Sequence, residues 1–233
     1  QRAEDILTFP EKCRRVNYNK KVNEFAGYFP ESLENCFFIS SSGYYPFAKI
    51  IDNALIIGIN SIADYSKLNN PFASNGEVGM TQFNEVYSLL ATNLPQIKYK
   101  LILIHHHFNK LKVKAKSSLG NVWQNIEKQT MKLRNKRRLF NLFNEFNVDI
   151  VMHGHLHESK EYDRKGIRFL NAGATLKSEK EDVVKVNYLR LFENEIDVDI
   201  QCLDVPMKDD LLKFSKTSND FVRLLSYSEA KTE

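Results

Sequence analysis

Hydrophobic positions fall in short runs separated by polar stretches, and the runs change period along the chain. Residues 47–51 and 54–60 are two Ile-rich runs joined by Asp52-Asn53, a two-residue connection of hairpin type. Pro46 stands just ahead of the first run, where its missing N–H costs the ladder nothing. Residues 36–40 are predicted as a third strand before them. From 64 to 79 the chain carries Asn, Ser, Gly and Pro without a period, the mark of a loop. Phe83, Val86, Leu89 and Leu90 then recur at helical spacing from Thr81 onward, with Pro95 beyond them to stop the helix. Residues 98–104 close on Leu101-Ile102-Leu103-Ile104, the pattern of a strand covered on both faces. Over 131–146, Leu133, Leu139, Phe140, Leu142, Phe143 and Phe146 lie on one helical face and Arg134, Lys136, Arg137 and Arg138 largely on another. A second buried strand is predicted over 148–152.

The tail reads differently. Runs at 159–163 and 167–171 flank Lys165-Gly166, and runs at 184–192 and 196–203 alternate around Glu193-Asn194-Glu195. Both are hairpin signals, and the sheet is expected to continue through all four strands. Further helices are predicted over 20–29 and from Asp209 onward. Strand, helix, strand followed by antiparallel hairpins gives an α/β fold with an α+β tail. No repeat or linker interrupts it, so a single domain is expected over 1–233.

Composition changes this picture in few places. The 233 residues carry 33 basic and 29 acidic side chains, and a net charge of +4 argues against a nucleic-acid partner. The longest apolar runs, 54–59 and 101–104, are far short of a membrane span. No charged-then-apolar leader opens the chain. Three scattered cysteines, Cys13, Cys36 and Cys202, favour a reducing compartment and exclude a disulfide framework. A cytoplasmic protein is therefore expected. Histidine is the exception to this ordinary composition. There are six, all within 105–107 or 153–157.

Both clusters follow a predicted buried strand, at the end where open α/β sheets bind ligands. His153, His155 and His157 alternate, so extended backbone would turn all three to one side, and Gly154 lets the chain pass close to a bound group. A lone strand-end histidine is ordinary. Six clustered and buried without a metal would suffer desolvation and mutual repulsion on protonation. Neutral imidazole suits zinc, manganese or iron, so a metal site is the stronger reading.

The segment Val148-Asp-Ile-Val-Met-His-Gly-His-Leu-His157 resembles the Gly-His-x-His motif of the calcineurin-like metallophosphoesterases. Leu101-Ile-Leu-Ile-His-His-His-Phe108 is similar to the strand that ends in an earlier ligand histidine of that family. Gly79-Met-Thr-Gln82 and Asn171-Ala-Gly-Ala174 look like the family's neighbouring segments. The resemblance spans 47–203. It implies a layered β-sandwich flanked by helices, two divalent ions (Mn, Fe or Zn), and hydrolysis of a phosphate ester by a metal-bridging hydroxide. His155 and His157 would be ligands. The family often reads His-His-Pro in the first cluster, with the first histidine coordinating. Setting Phe108 in the proline position makes His106 the ligand, and the other register makes it His105. His105 and His107 are then the candidates for a general acid near the leaving group, and His153 for a substrate contact. The family's Asp-x-His, Gly-Asp and Gly-Asn-His motifs are absent, and no histidine precedes His105. The expectation is that the first strands of the domain precede Gln1.

Lys110, Lys112, Lys114 and Lys116 alternate directly after the first cluster, interleaved with Leu111, Val113 and Ala115. Lys110 and Lys112 are candidate substrate contacts. The loop leaves open a phosphorylated small molecule, a lipid-linked phosphate, or peripheral docking on an anionic membrane surface, against plain solvated charge. Two further classes compete with the enzyme: a scaffold or regulatory protein on the same fold, and a lone histidine-rich metal-binding module.

Overall fold

The computed structural model describes residues 23–24, 26–28, 30–39, 43–62, 75–108, 133–154, 159–172 and 183–204. Residues 23–24 and 26–28 are helical, within the helix predicted over 20–29. A short helix α1 (Pro30–Leu33) follows, then β1 (Cys36–Phe38), β2 (Phe47–Ile51), β3 (Ala54–Ile59), α2 (Met80–Ala91), β4 (Tyr99–Ile104), α3 (Lys136–Glu145), β5 (Ile150–His153), β6 (Lys160–Arg164), β7 (Ile167–Asn171), β8 (Val183–Leu191) and β9 (Ile196–Asp204). The predicted helix from Asp209 lies outside the described residues.

Seven strands form one sheet in the order β1-β2-β3-β4-β5-β7-β6. Its centre, β3-β4-β5-β7, is parallel, and antiparallel strands flank it on both sides. Two of the turns follow from their residues. Asp52 takes φ 49° between β2 and β3, and Lys165-Gly166 takes φ 51° and 83° between β6 and β7. Two successive positive φ values make the latter a turn of the mirror-image type that matches strand twist, and Gly166 supplies one without strain.

The strand alternation divides the core in two. On one face, Ile57, Ile102, Val151 and Phe169 meet Val86 and Leu90 of α2 and Leu139, Phe140 and Phe143 of α3. Phe143 and Phe169 are fully buried there, each worth about 2–3 kcal/mol of transfer free energy. On the other face Ala54, Tyr99, Leu101, Ile150 and Leu170 are covered by Leu189, Leu191, Ile196 and Val198. The molecule is thus helices, large sheet and hairpin in three layers, a mixed α/β fold.

Two expectations need correction. The strands β8 and β9 do not continue the large sheet; they pair only with each other and lie across its second face. Their inward residues Leu189 and Leu191 are consumed by packing on Leu101 and Ile150, which needs a layer rather than an edge. The helix predicted over 131–146 does not include 133–135. Leu133 instead forms a backbone bridge to Gly76, and Asn135 turns its side chain to both the N–H and the C=O of Val78, so helix begins only at Lys136. At the other end Asn147 takes φ 52° and Val148 N donates to Phe143 O at 2.9 Å, a left-handed cap that redirects the chain into β5. Among the described residues no helix is long and apolar enough to cross a membrane.

Candidate functional site

The two histidine segments, far apart in sequence, leave neighbouring strands at the same end. Ile104 of β4 pairs with His153 of β5. One step further, Gly154 N donates to His105 O at 3.1 Å, so the parallel ladder carries the first cluster directly beside the second. Ala172 N donates to His153 O at 2.7 Å, adding the end of β7 to the same rim. A cavity of about 660 Å³ opens here. Its lining mixes the polar Asn60, Ser61, His105 and His153 with the apolar Tyr45, Phe47, Ile62, Leu103 and Met152.

The three consecutive histidines occupy three environments. Strand parity continues past Ile104: His105 follows Leu101 and Leu103 toward the cavity and is exposed, whereas His106 follows Ile102 and Ile104 inward and is 4% exposed. His106 is held on several sides. Its Nδ1 lies 2.8 Å from Ser61 Oγ, its backbone N–H donates to the same oxygen at 3.3 Å, and its ring lies against Gly76. A β-carbon at Gly76 would stand 2.4 Å from His106 Cγ, so only glycine admits the ring. The rings of His105 and His106 meet edge to face, centroids 5.2 Å apart. His107 is buried and not part of the cavity wall, and Phe108 beyond it packs on Phe143 and Phe169.

His153 is buried beneath the rim. Burial pushes its pKa down to about 4, and His107 and His105 nearby also oppose a proton on it. It is therefore neutral at pH 7. Nε2 lies 2.7 Å from the Tyr162 hydroxyl and Nδ1 3.4 Å from Gly154 O. The tautomer with Nδ1 protonated suits both contacts, since a carbonyl can only accept and Tyr162 can donate to Nε2. Burial raises the Tyr162 pKa well above its usual value, which keeps that donor protonated. Tyr162 is itself stacked on Phe169, centroids 5.0 Å apart.

Of the residues expected at a site, the structure brings together His105, His106, His107 and His153. His155, His157, Lys110 and Lys112 lie outside the described residues. Among the described residues no three His, Cys, Asp or Glu side chains converge as a metal cage. The reading from sequence missed Ser61, Asn60 and Gln82. The signal for the first two was their position just past an apolar strand, at the end where His105 and Gly154 also emerge.

No family model matches the chain. It is 24% identical over 149 residues to a probable cyclic nucleotide phosphodiesterase of Ruthia magnifica subsp. Calyptogena magnifica, covering 63% of this chain and 55% of that protein. The chain thus spans about half the length of the curated relative it matches. A candidate 5′-nucleotidase from Staphylococcus aureus is similar over 79% of this chain and 33% of its own, at 12% identity and a TM-score of 0.35. A Vps29 single mutant from Entamoeba histolytica is similar over 66% of this chain and 99% of its own, at 15% identity and a TM-score of 0.22. Scores this low do not define a shared fold.

Proposed function

We propose that the chain is part of a calcineurin-like metallophosphoesterase domain and serves the hydrolysis of phosphate esters at a divalent-metal centre. One observation carries the reading: two histidine segments leave adjacent parallel strands at their C-terminal ends, with His105 opening into a cavity that Gly154 also lines. The similarity to the Ruthia magnifica protein supports it, and that protein's name makes a cyclic nucleotide the first ester to assay.

The donor chemistry fits a metal. His105 presents an exposed imidazole to the cavity, and the chain runs from Gly154 directly into His155 and His157. These three would be the protein's ligands. His106, the other register, is enclosed by Ser61 and Gly76 and is off the cavity wall. Bound divalent ions would neutralise phosphoryl charge and bring the pKa of a water near neutrality. The rest is done by the chain's own groups. Tyr45, Phe47, Ile62, Leu103 and Met152 offer an apolar wall to the ester group. His153, held neutral, adds no positive charge that would compete with cations at the rim. His107 is buried and outside the cavity lining, which favours a role other than proton donation to the leaving group.

The test is metal analysis of the natural full-length protein together with hydrolysis of an aryl phosphate and a cyclic nucleotide. His105→Ala and His155→Ala should each lose bound metal and turnover together. Retention of both would overturn the reading. A folded protein that binds no metal and hydrolyses neither ester would point instead to a scaffold on the same fold.

A further inference from the structure

We infer that Gln82 is a positioning residue for the site, acting through a clamp on Asn60 that fixes one cavity wall; this rests on the phosphoesterase reading above. The β3–β4 ladder ends at Ile59 and Ile104. Asn60, Ser61 and Ile62 run on past that end, yet all three line the cavity. The backbone there must find partners elsewhere, because an unsatisfied peptide group at a closed site is costly.

Gln82, in the first turn of α2, supplies both for Asn60. Asn60 N–H donates to Gln82 Oε1 at 2.8 Å, and Gln82 Nε2 donates to Asn60 O at 2.7 Å. One carboxamide thus acts as a one-residue extension of the sheet. The residues it holds are then tied in sequence. Asn60 Oδ1 accepts from Ile62 N at 2.9 Å, Ser61 O accepts from Glu77 N at 3.0 Å, and Ser61 Oγ meets both the backbone N–H and the Nδ1 of His106. The connection therefore runs from α2 through Asn60 and Ser61 to the backbone from which His105 emerges. Among the described residues Gln82 does not line the cavity and its side chain bonds to Asn60, so it acts through this wall. A second clamp of the same kind, Asn135 on Val78, ties the strip that carries Gly76 to the start of α3.

Gln82→Glu separates this role from bulk stability. The ionised carboxylate accepts from Asn60 N–H but cannot donate to Asn60 O. The protonated acid does both. Amide exchange at residues 60–62 and 77 is measured in this chain at pH 5 and pH 8. Wild type should protect these amides at both pH values after correction for intrinsic rates. Gln82→Glu should lose about tenfold in protection at pH 8 and regain only part of it at pH 5, where the acid form begins to populate, and Gln82→Met should lose it equally at both. In the full-length protein the same variants should lower kcat about tenfold or more with KM little changed, because a displaced site wall misaligns the reacting groups. Unchanged protection at 60–62 in Gln82→Met would overturn the clamp. Lost protection with an unchanged kcat would overturn its positioning role. If wild type hydrolyses neither ester while exchange follows the predicted pH pattern, the phosphoesterase reading fails and the positioning role fails with it, although the clamp itself stands.

Discussion

The two faces of the seven-stranded sheet are built differently. The face under α2 and α3 is packed with large side chains, with Phe108, Phe140, Phe143 and Phe169 in ring contact. Among the described residues, the opposite face is covered by the β8–β9 hairpin around Ala54, Tyr99, Leu101, Ile150 and Leu170. Toward the C-terminal ends of β3, β4 and β5, Leu103 and Met152 border the cavity, Met152 also packing against the covered cluster. The lesson is where a site comes from in this fold. The larger apolar core lies on the helix face, and the candidate site lies at the strand ends on the second face.

Phe169→Ala is the strongest test of that division. It removes a ring packed on Phe108, Phe140 and Tyr162 and should cost about 3–5 kcal/mol in urea unfolding. A loss under 1 kcal/mol would place the main core elsewhere. Next comes pH. His153 has its pKa depressed from 6.5 to about 4 by burial, so the unfolded chain binds a proton in that window that the folded chain refuses. Stability is therefore complete above pH 6.5 and falls as pH drops toward 4, by roughly 3 kcal/mol at most. Denaturant melts of the metal-free chain at pH 7 and 4.5 measure it, and His153→Gln should flatten the slope. A slope that survives the substitution would assign it to another group.

Gly76→Ala forces a methyl into the His106 ring and should destabilise by about 1–3 kcal/mol, with loss of the Ser61 contact. An unchanged melting temperature would mean that the strip carrying Gly76 shifts freely. The smallest effect belongs to the hairpin face. Tyr99 donates to Phe192 O at 2.9 Å, pinning the β8–β9 turn to the start of β4. Tyr99→Phe should cost about 1 kcal/mol and leave turnover unchanged. If it instead equals Phe169→Ala, the contrast between the faces collapses.

Much of the frame was legible from pattern. Every central strand was visible, because β-branched runs bounded by turn residues have few alternatives. Strand parity also foretold how the first cluster divides, since Leu101, Leu103 and His105 share one face and Ile102, Ile104 and His106 the other. The layer taken by β8–β9 was not legible, because alternation marks a strand without saying which sheet it joins. The start of α3 was misjudged for a related reason. The apolar period continues back to Leu133, but a bridge to Gly76 and the Asn135 clamp are tertiary events that periodicity does not register. Gln82 was invisible as a site residue for the same cause.

The parallel ladder also has a kinetic meaning. The hairpins β2–β3, β6–β7 and β8–β9 each close over a short turn and can form early, within microseconds. The pairing of β3 with β4, and of β4 with β5, must wait until chain segments carrying whole helices have been gathered in. Non-local contacts of this kind set the slow step of folding. His105 and Gly154 become neighbours only when the last of these pairings forms, so the cavity rim should be among the latest parts of the molecule to acquire native order.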